Sequence, residues 1–434
     1  MGTKAGFFLS GPAAAGYFVK KMIQWLQLTK ILHRWRLAAV KHRFALLLEL
    51  LLTLALCCAC AEKPLTTLPL PQERPVQDAL AEDHLSAPQS VPEPEPEPAY
   101  PELSRAEAEI RLFGRPFTPF LYEDTPYVPA SVFFEAAGLP FEEENGFVTA
   151  QGHTFGPDTA VGADAGCVLQ ADGLYLPMRQ AAELLGFVNG HSPEGTEYLA
   201  HPAKADAPAP NVNVPVLMYH AVSDDCWGFE ELFVKPAEME LQLQYLVDNG
   251  YDAIFLEDLS HVEDYEKPVI LTFDDGYDDN YTELFPLLEK YGVKATIFVI
   301  GNAMGKPHKM TQAQVYELAS SGLVSIQSHG YTHREMGTLS KEELDDEMRL
   351  SRDAIACVTG FTPYALCYPV GSYSDCALEA ARQYYSYGLL MSSGLYNTSM
   401  DPLLIPRGYI SRYSGVWDFA WWLGTSGTSD AWRE

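Results

Sequence analysis

Two kinds of segment alternate along the chain after residue 213. The segments between the apolar runs carry apolar residues at three- and four-residue spacing, and most of them stop at glycine, which predicts helices. Ser340 and Glu343 have the spacing of a capping box, which places the start of the predicted helix in "SKEELDDEMRLSRDAIACVTG" at Ser340. Strand–helix alternation with right-handed crossovers predicts a parallel α/β sheet, either open or closed into a barrel. The apolar, β-branched runs that predict the strands are "VPVLMYH", "YDAIFL", "PVILTF", "KATIFVI", "LVSIQSH" and "YALCYP".

Residues 105–200 contain an internal repeat. The segment "YVPASVFFEAAGL" (Tyr127–Leu139) returns 48 residues later as "YLPMRQAAELLGF" (Tyr175–Phe187). Each copy predicts a strand that ends at proline and a short helix that ends at Gly138 or Gly186. The repeat resembles the duplicated stalk-like domain named after the N-terminal region of copper amine oxidases. The sequence of this region has no cluster of metal ligands, so the resemblance implies a spacer or wall-contact module without copper.

The N-terminal residues 1–61 have the composition of an export segment. They hold eight Lys or Arg residues against one acid, Glu49, and they end in an apolar run. A basic region followed by an apolar core and small residues is typical of a signal peptide. The run is also long enough for an uncleaved membrane anchor, and Cys60 after Ala59 is a candidate lipidated residue of a lipoprotein. We therefore expect export and a membrane or lipid anchor at the extracellular cell surface.

Composition separates the remaining regions. Residues 62–104 are rich in Pro and Glu and predict an extended spacer, and residues 201–212 predict a second linker before a domain at 213–425.

The net charge of -29 argues against nucleic acid as a partner, because phosphate binding needs a basic surface. No obligate protein partner is expected.

Polar residues at the ends of the predicted strands are candidates for a site. Asp274 and Asp275 follow one strand, and His329 and His333 follow another. The carboxyl ends of parallel strands meet at one edge of the sheet, where α/β proteins place their chemistry. The two aspartates fit a turn, or a cation site in which one carboxylate binds metal and the other is a base. A calcium loop is excluded, because Asp279 stands where it needs glycine.

Three sequence blocks identify a family resemblance. "TFDDG", "SHGYTH" and "YPVGSY" occur in the order found in the polysaccharide deacetylases, the NodB-homology family or carbohydrate esterase family four. The resemblance covers about residues 213–410. It implies an α/β fold, a distorted (β/α) barrel of about seven strands, here preceded by a small repeated α+β domain.

The resemblance also implies roles for individual residues. Asp275, His329 and His333 correspond to the ligands of one divalent metal ion, with zinc expected first and cobalt, nickel or manganese as alternatives. Asp274 corresponds to the general base. In the third block, Val370 corresponds to the residue whose backbone N–H binds the oxyanion, and we place Tyr368 beside it as a substrate contact.

The sequence departs from the family pattern at two places. Cys367 stands where the family often has an arginine that orients the base, and Arg407 is a candidate for that task or for a substrate or oxyanion contact. Many members have a C-terminal histidine that protonates the leaving amine, yet no histidine follows His333. His220, at the end of the first strand, is the candidate acid, with a structural histidine as the alternative.

The resemblance implies a hydrolase that removes acetyl groups from N-acetylated cell-wall or surface polysaccharide and so acts on non-peptide C–N bonds. Two alternatives stay open. One is an O-acetyl esterase acting on glycans, and the other is an inactive protein that binds wall or glycan. The complete "TFDDG" and "SHGYTH" blocks argue against the inactive protein.

Overall fold

The computed structural model describes residues 100–157 and 163–424. The predicted export segment and most of the first spacer lie outside these residues. No helix in the described part of the chain is long and apolar enough to cross a membrane.

The N-terminal region is built mainly of short antiparallel strands. They form a five-stranded sheet in the order β1-β4-β5-β11-β10 and two four-stranded sheets in the orders β12-β13-β2-β3 and β6-β7-β8-β9. Two short helices, α1 (Ala130–Ala136) and α2 (Met178–Leu184), pack on them. The strands are β1 Ser104–Arg105, β2 Ile110–Leu112, β3 Arg115–Phe117, β4 Phe120–Tyr122, β5 Thr125–Pro129, β6 Glu142–Glu144, β7 Phe147–Ala150, β8 His153–Gly156, β9 Ala165–Gly166, β10 Val168–Gln170, β11 Gly173–Pro177, β12 Val188–His191 and β13 Glu197–Ala200.

The internal repeat is confirmed by this region. In each copy a strand, β5 or β11, ends at proline and leads directly into a helix. The two strands pair antiparallel, with Leu176 opposite Val128. Gly138 and Gly186 follow the helices with φ of 64° and 72°, a left-handed conformation that glycine adopts without steric cost. The two copies therefore lie side by side and share one core.

Residues 213–424 form the predicted parallel sheet with helices around it. The helices are α3 Pro236–Asp248, α4 Phe285–Tyr291, α5 Gln312–Ser320, α6 Lys341–Thr359, α7 Asp375–Tyr384 and α8 Val416–Gly424. The strands are β14 Asn213–Val214, β15 Val216–Tyr219, β16 Ala221–Val222, β17 Phe233–Val234, β18 Asp252–Ala253, β19 Pro268–Phe273, β20 Ala295–Val299, β21 Val324–Ser328, β22 Ala365–Cys367, β23 Tyr387–Leu389, β24 Tyr396–Asn397 and β25 Gly408–Tyr409.

The main sheet curls into a distorted barrel, which confirms the predicted fold class. Its described strands follow the order β23-β22-β21-β20-β19-β15-β25 and are parallel, and β18 adds to one end of β19. A parallel bridge between Leu389 and Ile405 brings the segment before β25 back to β23. All six residues of β19 are buried, as expected for a strand covered on both faces. The carboxyl ends of these strands form one rim.

The N-terminal region packs against the barrel on the outer face of α6. The Tyr198 hydroxyl donates a hydrogen bond to Asp353 Oδ1 at 2.9 Å, and both residues are buried. His201 pairs with Phe361 in a parallel bridge, and their rings stack with centroids 4.9 Å apart. The segment predicted as the second linker continues along the barrel, where Ala209 N–H donates to Leu259 O at 2.8 Å.

Candidate metal centre and active site

The rim of the barrel brings together three residues with metal-binding side chains. Asp275 Oδ1 lies 3.5 Å from His329 Nε2 and 3.3 Å from His333 Nε2. One donor atom from each residue can be chosen so that all three lie within 4.8 Å of one another. Asp275 and His333 both have positive φ, at 75° and 62°, so the backbone turns sharply where each side chain points into the site. Two imidazoles and a carboxylate in this arrangement fit a catalytic zinc-type site with an open position for water.

The hydrogen bond of His329 prepares its ring for metal binding. Its Nδ1 lies 2.8 Å from the backbone oxygen of Cys367, which can only accept. The ring must therefore donate from Nδ1, which leaves the lone pair of Nε2 free toward Asp275 and His333.

Glu347 on helix α6 holds the loop that carries the two histidines. Its Oε2 accepts hydrogen bonds from the N–H groups of Tyr331 and Thr332, both at 2.9 Å, and the Thr332 hydroxyl donates to Oε1. Glu347 is 5% exposed, which is unusual for a glutamate and fits a carboxylate that serves three donors. The sequence analysis missed this residue.

Asp274 forms a buried ion pair with Arg407, and one of its oxygens also lies within 4.8 Å of a His329 ring nitrogen. The Arg407 guanidinium donates to both carboxylate oxygens, at 2.8 Å to Oδ1 and 2.7 Å to Oδ2. It is fixed by further bonds to Leu390 O at 2.8 Å and Thr272 Oγ1 at 2.9 Å. Burial raises the pKa of Asp274, but the opposite charge of Arg407 outweighs it and holds the pKa below its usual range. The carboxylate is thus ionised and held in one orientation.

His220 lies beside Asp274 at the floor of a cleft. Its Nε2 is 4.0 Å from Asp274 Oδ2, and its buried Nδ1 has no hydrogen-bond partner in the described part of the chain. Burial lowers the pKa of His220, and the Asp274 charge opposes this effect. The cleft has a volume of about 640 Å³ and is also lined by Phe229, Met391 and Tyr409. His220 is thus placed on the same rim as the candidate metal ligands.

Comparison with known proteins decides the family. A family model described as polysaccharide deacetylase matches residues 261–387. The putative polysaccharide deacetylase YxkH of Bacillus subtilis (strain 168) is 36% identical over 214 residues, which cover 48% of this chain and 74% of that protein. This chain belongs to the polysaccharide deacetylase family. The resemblance seen in the three sequence blocks is confirmed.

Other polysaccharide deacetylases are similar over part of the chain. The poly-beta-1,6-N-acetyl-D-glucosamine N-deacetylase of Escherichia coli (strain K12) is 24% identical over 265 residues, covering 50% of this chain and 39% of that protein. The peptidoglycan-N-acetylmuramic acid deacetylase PdaA of Bacillus subtilis (strain 168) is 29% identical over 136 residues, covering 31% and 48%. Among solved structures, the Streptococcus pyogenes deacetylase PplD in complex with acetate is 28% identical, with a TM-score of 0.46, covering 49% of this chain and 99% of that one.

This polysaccharide deacetylase has a buried thiol at the position predicted to depart from the family pattern. Cys367 Sγ lies 3.4 Å from Asp274 Oδ2 and 3.2 Å from Arg407 Nη2. Burial raises the pKa of the Cys367 thiol well above its usual range, so it stays protonated and donates to the carboxylate. The neutral Cys367 thiol provides no positive charge for Asp274. Arg407, from the segment just before β25, provides that charge instead.

In the block "YPVGSY", the two residues predicted to contact the substrate differ in exposure. Val370 is exposed and has φ of 51°, which is strained for a β-branched residue and directs the turn Pro369–Gly371 outward. Tyr368 is fully buried among apolar residues such as Met336 and Leu339. The structure therefore corrects the assignment of Tyr368 and Arg407 as substrate contacts, because neither side chain is accessible to a glycan.

Two more polar residues near the site come from the segment after the aspartate pair. Asp279 Oδ1 accepts the N–H of Val222 at 3.0 Å, and the Asn280 side chain donates to His220 O at 2.9 Å. Burial raises the pKa of Asp279 to about 6, and its other oxygen has no partner in the described residues. Both residues hold the strand end that carries His220. The sequence signal for them was weak, because acids and amides after a strand are common in turns.

Proposed function

We propose that this protein is a metal-dependent deacetylase that removes acetyl groups from N-acetylated cell-wall or surface polysaccharide. The observation that carries the proposal is the cluster of Asp275, His329 and His333 beside the buried pair of Asp274 and Arg407. Two similar proteins have names that describe N-deacetylases, one of poly-beta-1,6-N-acetyl-D-glucosamine and one of peptidoglycan. Family membership and these names support the cleavage of an amide.

The candidate residues divide the reaction among themselves. Asp275, His329 and His333 would hold a divalent ion, zinc in our proposal, which would supply Lewis acidity and lower the pKa of a bound water. Asp274 takes the proton from the attacking water, and Arg407 keeps its carboxylate in position. The Val370 N–H donates to the developing oxyanion, because the strained turn presents this backbone at the surface. His220 gives a proton to the leaving amine.

The N-terminal segments define where the reaction takes place. In this proposal residues 1–61 export and anchor the protein, and the spacer and the repeated region hold the barrel outside the membrane. The repeated region has the stalk-like role implied by its sequence resemblance. The glycan of the cell surface is then the available polymer.

An O-acetyl esterase is the second candidate. It is favoured by the absence of any histidine after His333 in the sequence, since many family members supply the leaving-group acid from there. An alkoxide leaves a tetrahedral intermediate with less help from an acid than an amine does.

Acetate release tests the proposal. The protein loaded with zinc is incubated with chitooligosaccharides, peptidoglycan and acetylated xylan, with and without a chelator, and zinc, cobalt, nickel or manganese is then added back. We expect one ion per chain, release from an N-acetylated glycan, and loss and recovery of activity with the metal. Release that a chelator does not change would contradict a metal-dependent reaction, and release from acetylated xylan alone would favour the esterase.

A further inference from the structure

A line of exposed aromatic side chains leads away from the cleft that contains His220. We call it the aromatic track and define it as Phe229, Tyr413, Trp417 and Trp421. These residues are 83%, 66%, 81% and 59% exposed. Tyr413 lines the His220 cleft and also a second cavity of about 330 Å³, which is lined by Trp421 as well. Through Tyr413, the track is therefore continuous with the cleft that contains His220.

The packing of helix α8 explains the orientation of the tryptophans but not their presence. Phe419 and Leu423 are buried in the barrel core, so Trp417 and Trp421 lie on the outward part of the helix. They are four residues apart, which places them on one face about 6 Å apart along the helix axis. This separation is comparable with the length of one sugar unit. Exposed aromatic surface on this scale costs free energy in water unless a ligand covers it.

The part of the track nearest to His220 is fixed in place. Arg412 Nη1 donates to the backbone oxygens of Ser223 at 3.0 Å and Phe233 at 2.9 Å, and Nη2 donates to Asp224 O at 3.0 Å. These bonds hold both ends of the loop that carries Phe229 against the segment that carries Tyr413. Such a surface loses little entropy on binding.

Resting on the proposed function, we propose that the aromatic track binds the polysaccharide chain beyond the sugar that is being deacetylated. The C–H face of a pyranose ring can lie flat on an aromatic ring and remove apolar surface of both from water. The track is bordered by three acids, Glu230, Glu231 and Asp418. Arg412 Nε lies 3.5 Å from Glu230 Oε1 and offsets one of the three negative charges, so the border stays acidic. These acids favour a chain that already carries free amines, and they disfavour an anionic membrane surface.

Binding to insoluble polymer tests the track separately from the reaction. The full-length Asp274→Asn protein is compared with a version that also carries Trp417→Ala and Trp421→Ala, using chitin and peptidoglycan sacculi as the probes. On the polymer that retains the parent protein, the double substitution should raise the dissociation constant about tenfold or more, because each aromatic platform contributes up to about tenfold. Trp417→Phe with Trp421→Phe should recover part of the loss. Tyr100→Ala, an exposed aromatic outside the barrel, is the matched control and should change nothing.

Chain length provides a second measurement, with Asp274 present. The ratio of kcat/KM for a hexasaccharide to that for a disaccharide should fall in the double tryptophan variant. The proposal that the track binds polysaccharide fails if neither polymer retains the parent protein. It also fails if the double tryptophan variant has the same retention and the same kcat/KM ratio as the parent. The proposal also fails if the double substitution removes binding of the parent protein to vesicles of anionic phospholipid, or if size-exclusion chromatography finds the parent as a dimer and the variant as a monomer. If no substrate releases acetate while retention still depends on the tryptophans, the proposed function fails and the track stands.

Discussion

At the scale of single residues, the pairing of Asp274 with Arg407 decides how the carboxylate can act. The arginine makes Asp274 a weaker base but keeps it ionised and fixed in a buried place. The fixed position of the Asp274 carboxylate then compensates for its low basicity. A base that is already directed at the proton it removes avoids the entropic cost of reaching that orientation during the reaction.

The first prediction concerns this carboxylate. Asp274→Asn should lower turnover by about a hundredfold or more, because no group takes the proton from water. Metal content should stay at one ion per chain, measured by elemental analysis, whereas Asp275→Asn should lose the ion. The substitution leaves Arg407 buried without its partner, at a cost of about 3–5 kcal/mol of stability, so activity is compared well below the melting temperature. Loss of metal in Asp274→Asn would make Asp274 a ligand.

The second prediction concerns the leaving group. His220→Ala should depress hydrolysis of an N-acetyl substrate much more than that of a matched O-acetyl substrate, because only the amine must be protonated before it leaves. The measurement is kcat/KM on both substrates at one pH. Equal losses on the two would assign His220 a structural role.

The third prediction concerns pH and stability. Asp279 has a folded-state pKa of about 6, above the value of about 3.9 expected for an unfolded chain. The folded state therefore holds this proton more tightly, and the resulting stabilisation is complete below pH of about 4 and is lost as the pH rises through 6. Asp279→Asn should thus be more stable than the parent at pH 8, by at most about 3 kcal/mol, with the difference vanishing near pH 4.

Urea unfolding of both proteins in metal-free buffer measures this difference, and the comparison cancels the titration of all other groups. A difference that is constant with pH would show that Asp279 has the same pKa in the folded and unfolded states.

The residues that the sequence identified are those that lie close together along the chain. Asp274, Asp275, His329 and His333 stand within short blocks at strand ends, so their type and spacing were enough. Glu347 was missed because it is one of six acids in helix α6, and only the packed structure shows which of them faces the histidine loop. The Asp274–Arg407 contact joins residues 133 positions apart, so the sequence offered Arg407 only as a candidate.

At the scale of elements, helix α6 acts as the support of the histidine loop. Its Ser340 cap and Glu343 form the predicted capping box, which is confirmed and fixes where the helix begins. Glu347, one turn further, then meets the loop N–H groups at a set position.

The fourth prediction tests this support. Glu347→Ala should weaken metal binding about 10–100-fold, because the loop loses its buried acceptor while all three candidate ligands remain. Glu347→Gln is the matched variant and should lose less, since its amide oxygen can still accept both N–H groups. Competition with a zinc chelator measures the affinity. Equal affinity in Glu347→Ala and the parent would show that the loop holds its shape without the helix.

Elements were predictable where the pattern was long enough. Strand β19 spans the whole of "PVILTF", and the amphipathic segments became helices α3 to α7. Strand β23 was missed because its three residues, "YGL", include a glycine and no β-branched residue. Helix α8 was missed because aromatic residues occupy both its inner and outer faces, which hides the helical period.

At the scale of the molecule, the N-terminal region and the barrel share buried polar contacts. Tyr198 from β13 reaches Asp353 on α6, and Asp353 also pairs with Arg352. A hydrogen bond buried between two regions couples their stability, since opening one exposes the other.

The fifth prediction follows from this coupling. Tyr198→Phe should lower stability by about 1–2 kcal/mol and speed protease cleavage within residues 201–212, because Asp353 loses a buried donor. Tyr175→Phe removes a comparable bond to Asp172 inside the N-terminal region and should not affect that cleavage. Limited proteolysis followed by mass spectrometry makes the comparison. Equal cleavage in both variants would show that the Tyr198–Asp353 hydrogen bond does not couple the two regions.

The position of Arg407 late in the chain sets an order in time. A ribosome completes Asp275, His329 and His333 well before it adds the arginine that pairs with Asp274. A nascent chain that stops between these points carries every candidate metal ligand, but its Asp274 has no opposing charge and its barrel lacks the segment that returns to β23. Synthesis of Arg407 and of β25, which is the last strand in the described part of the chain, therefore closes the barrel and fixes the base together. A premature stop codon between His333 and Arg407 yields a chain with every candidate ligand but no positioned base.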